Sequence, residues 1–270
     1  MRLASRASPV LPPEDPELAF YARVMGMLHE ARVKFLVAGA ACLQHHTGIC
    51  RDTKDLDLFI HERDLERTLS ALEGAGMMTE CAFPHWLAKA YDRDGKFVDL
   101  IYNSGNGATP VDDLWFEHAS HGTLLGQPVA FCPVEETIWS KSFVMERERF
   151  DGADVAHLFA ARARTLDWDR LVWRYGRYWR VLYAHLVLFQ FIYPDRAHTI
   201  PEGVMEDLAG RIQRERHVIK RDRVCMGTLI SREQYLVDLE GGRRDGRLPP
   251  TGKMHPVDVA AWTAAIGRRQ

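Results

Sequence analysis

The sequence predicts an α/β (α+β) architecture, a small mixed sheet with flanking helices, followed by a helical C-terminal region. Three observations predict it. Between residues 17 and 132, stretches of helical periodicity alternate with short apolar runs that break at glycine. The segment WLAKAYDRDGKFVDLIY (86–102) sets two strand-like runs around Asp94-Gly95, a strong hairpin signal. From residue 133 onward long helical patterns take over and strand signals become few.

The elements follow in order. Residues 1–16 contain four prolines and read as a loose N-terminal arm. ELAFYARVMGMLHEAR (17–32) spaces its apolar side chains for a helix and ends in charge. VKFLVAGAAC (33–42) opens as a buried strand, breaks at Gly39 and can start a helix over 40–46. A polar loop, TGICRDTK, leads to a strand from Leu56 in DLDLFI, and ERDLERTLSALEGA (62–75) is the next helix. The hairpin completes a catalytic-sized unit over 17–132. Residues 133–240 form a helical domain, with Pro201 to Glu240 the least sharply patterned part. Residues 241–270 are rich in Gly, Arg and Pro and read as a basic, partly mobile tail with a last short helix at 256–267.

Composition narrows the function classes. The chain has 270 residues, 46% hydrophobic and 27% charged, ordinary for a globular protein with a sizeable core. A net charge of -2 exerts no overall pull on nucleic acid or membrane. Six basic against two acidic side chains in both 211–223 and 241–270 make the C-terminal half locally basic, which suits RNA contact or simply a solvated face. The five cysteines are odd in number, widely spaced and without a C-x-x-C pair, so neither a disulfide framework nor a zinc site is expected. No secretory core is visible near the N-terminus, and VLYAHLVLFQFIY (181–193) is too short for a bilayer, so a cytoplasmic protein without a membrane partner is expected.

The chemistry centres on RDTKDLDLFI (51–60). Asp55 and Asp57 interrupt an apolar run with one residue between them, which in a strand puts both on one face about 7 Å apart. Like charges repel there, and burying one unpaired is costly. Divalent ions resolve the conflict: magnesium takes hard oxygen ligands, and two carboxylates can share a pair of ions ~4 Å apart, as in two-metal phosphoryl-transfer sites. Asp99, inside the apolar strand KFVDLIY, supplies a third carboxylate from a neighbouring strand. Gly39 permits close backbone approach at a helix N-terminus, a place that favours anions, and Arg51, Thr53 and Lys54 can bond phosphate.

VAGAAC, RDTKDLDLFI and KFVDLIY, in that order, resemble the nucleotidyltransferase superfamily related to DNA polymerase beta. The R-x-T-x-D-hydrophobic-D form is similar to minimal bacterial nucleotidyltransferases, including those of toxin–antitoxin and abortive-infection systems. The resemblance implies that Asp55, Asp57 and Asp99 are metal ligands for two Mg2+, with Asp99 also the candidate general base. Gly39 and Ala40 would face the triphosphate of a bound NTP such as ATP. The family usually has Gly or Ser where this chain has Ala40, which keeps the amide and lacks a hydroxyl. EETIWSKSFVMERERFDGADVAHL (135–158) resembles the helical segment of the same enzymes, which implies a phosphate contact from Lys141 and a positioning role for Asp151 or Asp154. The implied reaction moves an NMP from NTP to a hydroxyl, of tRNA or a protein in the toxin-like relatives, with an antitoxin as a possible partner. An antibiotic or other small-molecule acceptor is the alternative, as is a catalytically silent member that binds nucleotide or a partner.

Each residue has a structural alternative. Asp55 and Asp57 can be solvent-facing edge residues, and Asp99 can pair with Lys96 or Lys89. Arg51 can bridge to Asp52 or Asp55. Asp151 and Asp154 can cap a helix. His45 and His46 flank the turn, where polar packing competes with substrate contact. Arg170, Arg174 and Arg177 fall at i, i+4 and i+7, a basic stripe that either grips RNA or pairs with acids of a neighbouring helix.

Overall fold

The computed structural model describes residues 15–51, 55–218 and 222–267. Helix α1 (Pro16–Glu30) starts where the Asp15 carboxylate accepts the Glu17 N–H at 2.8 Å and Pro16 needs no donor of its own. It buries Phe20, Tyr21, Val24, Met25 and Leu28. Then come β1 (Leu36–Val37), α2 (Gly39–Thr47), β2 (Leu56–Phe59), α3 (Leu65–Gly74), β3 (Met78–Phe83), β4 (Leu87–Tyr91) and β5 (Phe97–Ile101). A short α4 (Asp113–Glu117) precedes the hairpin β6 (Ser120–Leu124) and β7 (Gln127–Phe131).

These strands make one seven-stranded mixed sheet in the order β3-β4-β5-β2-β1-β7-β6. The α/β expectation is met, with a larger sheet than the sequence suggested. The expected hairpin is β4–β5, turning through Gly95 at φ +82°. Centrally, β2 runs parallel to β5 and sets Asp57 directly opposite Asp99. The flanking apolar residues Leu56, Leu58, Val98 and Leu100 are buried, which fixes the register, since a one-residue slip would turn them outward.

The strands β3, β6 and β7 went unforeseen for physical reasons. MTECAF (78–83) lies at the sheet edge, with mixed exposure and no apolar alternation to announce it. The β6–β7 hairpin turns at Leu125 (φ +49°) and Gly126 (φ +77°), a pair without the Asn-Gly or Asp-Gly signature.

The remaining helices are α5 (Val134–Lys141), α6 (Gly152–Arg162), α7 (Trp168–Tyr175), α8 (Trp179–Ile192) and α9 (Glu202–Glu215). The basic stripe on α7 is resolved toward pairing. Arg174, 2% exposed, grips Asp112 through Nη1 and Nη2 at 2.6 and 2.8 Å and Glu136 through Nε at 2.8 Å. Arg170 bonds Glu135 and Glu136, and Arg177 donates to the Pro250 and Thr251 carbonyls. Asp112 also caps α4, so this network locks the sheet side to the helices. It does not offer an RNA surface.

Beyond α9 the expected helix to residue 240 is broken up: the described residues there form β8 (Val224–Cys225), a 3₁₀ turn (Gly227–Leu229) and α10 (Leu236–Glu240) before β9 (Arg244–Asp245) and α11 (Pro256–Ala264). The tail from residue 241 is not loose in its described part. β9 pairs with β8, Arg247 is buried against Asp245 and Thr263, and Trp262 packs edge-on against Phe83 and Trp86. Gly, Arg and Pro content suggested mobility there, but two of the glycines are needed for close packing: a Cβ on Gly246 would fall 2.6 Å from the Cys225 carbonyl oxygen, and one on Gly252 2.0 Å from the Arg247 carbonyl oxygen. All five cysteines are free. Among the described residues, no helix is long and apolar enough to cross a membrane.

Candidate active site

Asp57 on β2, Asp99 on the adjacent β5 and Asp55 just before β2 converge as the sequence expected. Their carboxylates offer one oxygen each, all within 4.8 Å of one another. Burial, then the charges of Asp55 and Asp99, push the Asp57 carboxyl up to about 7, against opposing pulls from Lys141 and Arg149. Burial also raises Asp99, although Lys89 across the β4–β5 pair donates to its Oδ1 at 2.7 Å. The Lys89 pairing and the place in the triad are therefore both true of Asp99. All three carboxylates are only partly buried, and an all-oxygen donor set at this spacing suits a hard divalent cation.

Gly39 faces the same point. Its φ of +58° is a left-handed conformation, and a Cβ there would lie 2.0 Å from Asp57 Oδ2. Glycine is thus required by both backbone and neighbour. The Ala38 amide donates to the Asp57 carbonyl at 2.9 Å, which ties the start of α2 to β2. No side chain caps α2, so the amides of its first turn, with Gly39 and Ala40, have no intrahelical acceptor and can meet an anion.

A ladder of alternating charge stands beside the triad. Lys141, from the end of α5, lies 3.1 Å from Asp151 Oδ2 and 2.8 Å from Asp154 Oδ2. Burial works against its charge, but the two carboxylates more than compensate and hold its pKa above the ordinary value. Arg51 bridges to Asp154 and nears His157 Nδ1. Asp151 stands at the start of α6 without making a capping hydrogen bond, because its oxygens are taken by Lys141 and Arg149. Those two cations overcome burial and keep its pKa low.

Some expectations fall elsewhere. His46, expected as an accessory residue, is buried and its Nε2 meets the Cys132 carbonyl at 2.8 Å. His45 stacks on Phe131 and bonds Ser120. Thr53 and Lys54, like Asp52, lie outside the described residues. Arg149 went unnoticed in the sequence. It sits in a charged turn 92 residues past Asp57, and only the fold brings it near the triad.

Residues 23–189 match the profile of a family described as uncharacterised nucleotidyltransferase. The chain belongs to this nucleotidyltransferase family. The match spans the triad, Gly39, Arg51 and the whole charge ladder. Among solved structures, an antigenic nucleotidyltransferase-like protein from Paracoccidioides brasiliensis shares 15% identity over 73% of this chain and 99% of its own, with a TM-score of 0.46. The lincosamide antibiotic adenylyltransferase LnuA, solved with lincomycin bound, shares 15% over 56% of this chain and 100% of its own, at 0.39. ANT(2″)-Ia in complex with adenylyl-2″-tobramycin shares 15% over 61% and 97%, at 0.41. At this identity and overlap they say nothing about this chain's substrate. No curated protein matches the sequence.

Proposed function

We propose that this nucleotidyltransferase moves a nucleoside monophosphate from an NTP to an acceptor hydroxyl and releases pyrophosphate. The single observation that carries the reading is the convergence of Asp55, Asp57 and Asp99 on one point, with Gly39 and the start of α2 beside it. The triad would hold Mg2+, one ion or two, which when bound lowers the pKa of the acceptor hydroxyl and neutralises charge on the leaving pyrophosphate. The chain's own groups do the rest. The first-turn amides of α2, at Gly39 and Ala40, receive phosphate oxygens. Asp99, oriented by Lys89 and raised by burial, takes the acceptor proton as the acceptor oxygen bonds the α-phosphorus and the bond to the β-phosphate breaks.

The acceptor class turns on what the structure leaves available. Arg170 and Arg174 are tied up in internal ion pairs, which removes one sequence argument for RNA contact. A small hydroxylated compound and a protein hydroxyl stand on equal footing with it. Label transfer tests the reading: protein, Mg2+ and each α-phosphate-labelled NTP, with tRNA, lysate protein or a panel of hydroxylated small molecules including lincosamides and aminoglycosides. Label on one acceptor, absent with Asp55→Ala/Asp57→Ala, supports the transferase and names its acceptor. Equal labelling by that variant contradicts it.

A further inference from the structure

The ladder beside the triad runs Arg149–Asp151–Lys141–Asp154–Arg51, with three cations alternating with two carboxylates. Its three inner side chains are 10%, 16% and 8% exposed, and its ends, Arg149 and Arg51, are 68% and 41% exposed. Lys141 at the centre is engaged by both carboxylates. Turning it toward a ligand would leave Asp151 and Asp154, both buried, with only their more exposed partners Arg149 and Arg51, a costly exchange. Arg149 is placed differently. It grips Asp151 with Nε at 3.0 Å and Nη2 at 3.1 Å, which leaves the Nη1 edge of a five-donor group for something else. Its charge is felt at Asp57, and the charges of Asp57 and Asp55 are felt by it, so it borders the triad.

The segment carrying Arg149 is built to hold it there. Met145 and Phe150 bridge across a tight turn in which the Glu146 amide donates to the Arg149 carbonyl at 2.8 Å. The Met145 amide donates to the Ile230 carbonyl at 3.0 Å, and the Arg232 amide meets Glu146, so the turn is anchored to the C-terminal segment. At its other end the Phe150 ring covers Gly152, where a Cβ would come within 2.0 Å of the ring. Were neutralising Asp151 its whole task, Lys141 already does it from a buried position, and a guanidinium two-thirds exposed, on whose charge Asp55 and Asp57 also act, would be idle.

We infer that Arg149 binds the β- and γ-phosphates of the NTP, that Asp151 aims it, and that Lys141 holds the ladder rather than contacting phosphate. Arg149 is then a substrate-binding residue and Asp151 a positioning residue. This rests on the nucleotidyl-transfer reading of the triad. A planar fork with free donors suits a polyphosphate, which a monophosphate cannot fill.

Calorimetric titration of the full chain with Mn2+, with a nonhydrolysable NTP analogue plus Mn2+, and with the matching NMP plus Mn2+ tests it. Arg149→Ala should weaken the NTP analogue about tenfold or more, the loss expected for a charge-assisted contact, with NMP and Mn2+ affinities changed less than about threefold. Arg149→Lys should recover part of the loss. Asp151→Asn should weaken the analogue without changing Mn2+ affinity. Equal losses for NTP analogue and NMP, or no loss for Arg149→Ala in a protein that does bind the analogue, would overturn the inference while leaving the triad reading intact. A wild-type protein that takes up neither Mn2+ nor the analogue would overturn the triad reading, and this inference with it.

Discussion

Replacing Asp57 by Asn should make the metal-free protein more stable, although it destroys the site. In the folded chain the Asp57 carboxyl is pushed up to about 7, from 3.8 in the absence of its surroundings. A group that binds its proton more tightly when folded favours folding at low pH. That advantage falls as pH rises through the interval between 3.8 and about 7, and above it the cost of the charged form is constant. A shift of about three units corresponds to about 4 kcal/mol as an upper limit. Asp57 is only half-buried, so water screens part of this, and about 1–2 kcal/mol is the expected gain for Asp57→Asn at pH 8. Urea unfolding in EDTA measures it: the variant should have the higher midpoint at pH 8, and the difference should shrink toward zero near pH 4. Adding Mg2+ should then raise the wild-type midpoint and not the variant's, because only a cation that binds the folded state stabilises it. A variant less stable than wild type at pH 8 would refute the reasoning, since it would mean that Lys141 and Arg149 already over-compensate the charge and that no cation is wanted.

Three further outcomes follow from the packing. Gly39→Ala drives a methyl into Asp57 Oδ2 at a left-handed backbone position, so it should cost about 1–3 kcal/mol in urea unfolding and reduce Mn2+ affinity in the same preparation. Arg174→Met leaves Glu136, which is fully buried, without that partner and uncaps the link to Asp112, so thermal or urea unfolding should register a loss of about 3–5 kcal/mol. Trp262→Ala should cost about 3 kcal/mol or more, judged by the same unfolding curve, because the ring packs on Phe83 and Trp86 with the Arg232 guanidinium 4.2 Å from its centre. A mobile tail would show no change.

The legible part of the molecule was the part encoded locally. Asp55, Asp57 and Asp99 interrupt apolar strand runs, and a charge in such a run announces itself because it has to be explained by something that binds it. Gly39 was legible for the same reason: the strand-to-helix break falls where backbone freedom is needed. What stayed hidden depends on partners distant in sequence. Arg149 looks like any residue of MERERF until the fold brings it close enough for Asp55 and Asp57 to act on its charge. Arg174 reads as a surface charge on a helix, and only tertiary pairing with Glu136 and Asp112 makes it a buried one. His46 sits next to the turn in sequence, yet α2 carries its ring to the Cys132 carbonyl. In the tail, composition predicted looseness because it cannot see that Trp262 and Arg247 have partners.

Mn2+ binding by electron paramagnetic resonance, with and without a nonhydrolysable NTP analogue, tests the central claim most directly. Wild-type protein should bind the ion, bind it more tightly with the analogue, and lose it in Asp55→Asn, Asp57→Asn and Asp99→Asn alike. Mn2+ bound equally well by all three variants, or by none of the proteins including wild type, would contradict the claim that this triad is a metal–nucleotide site.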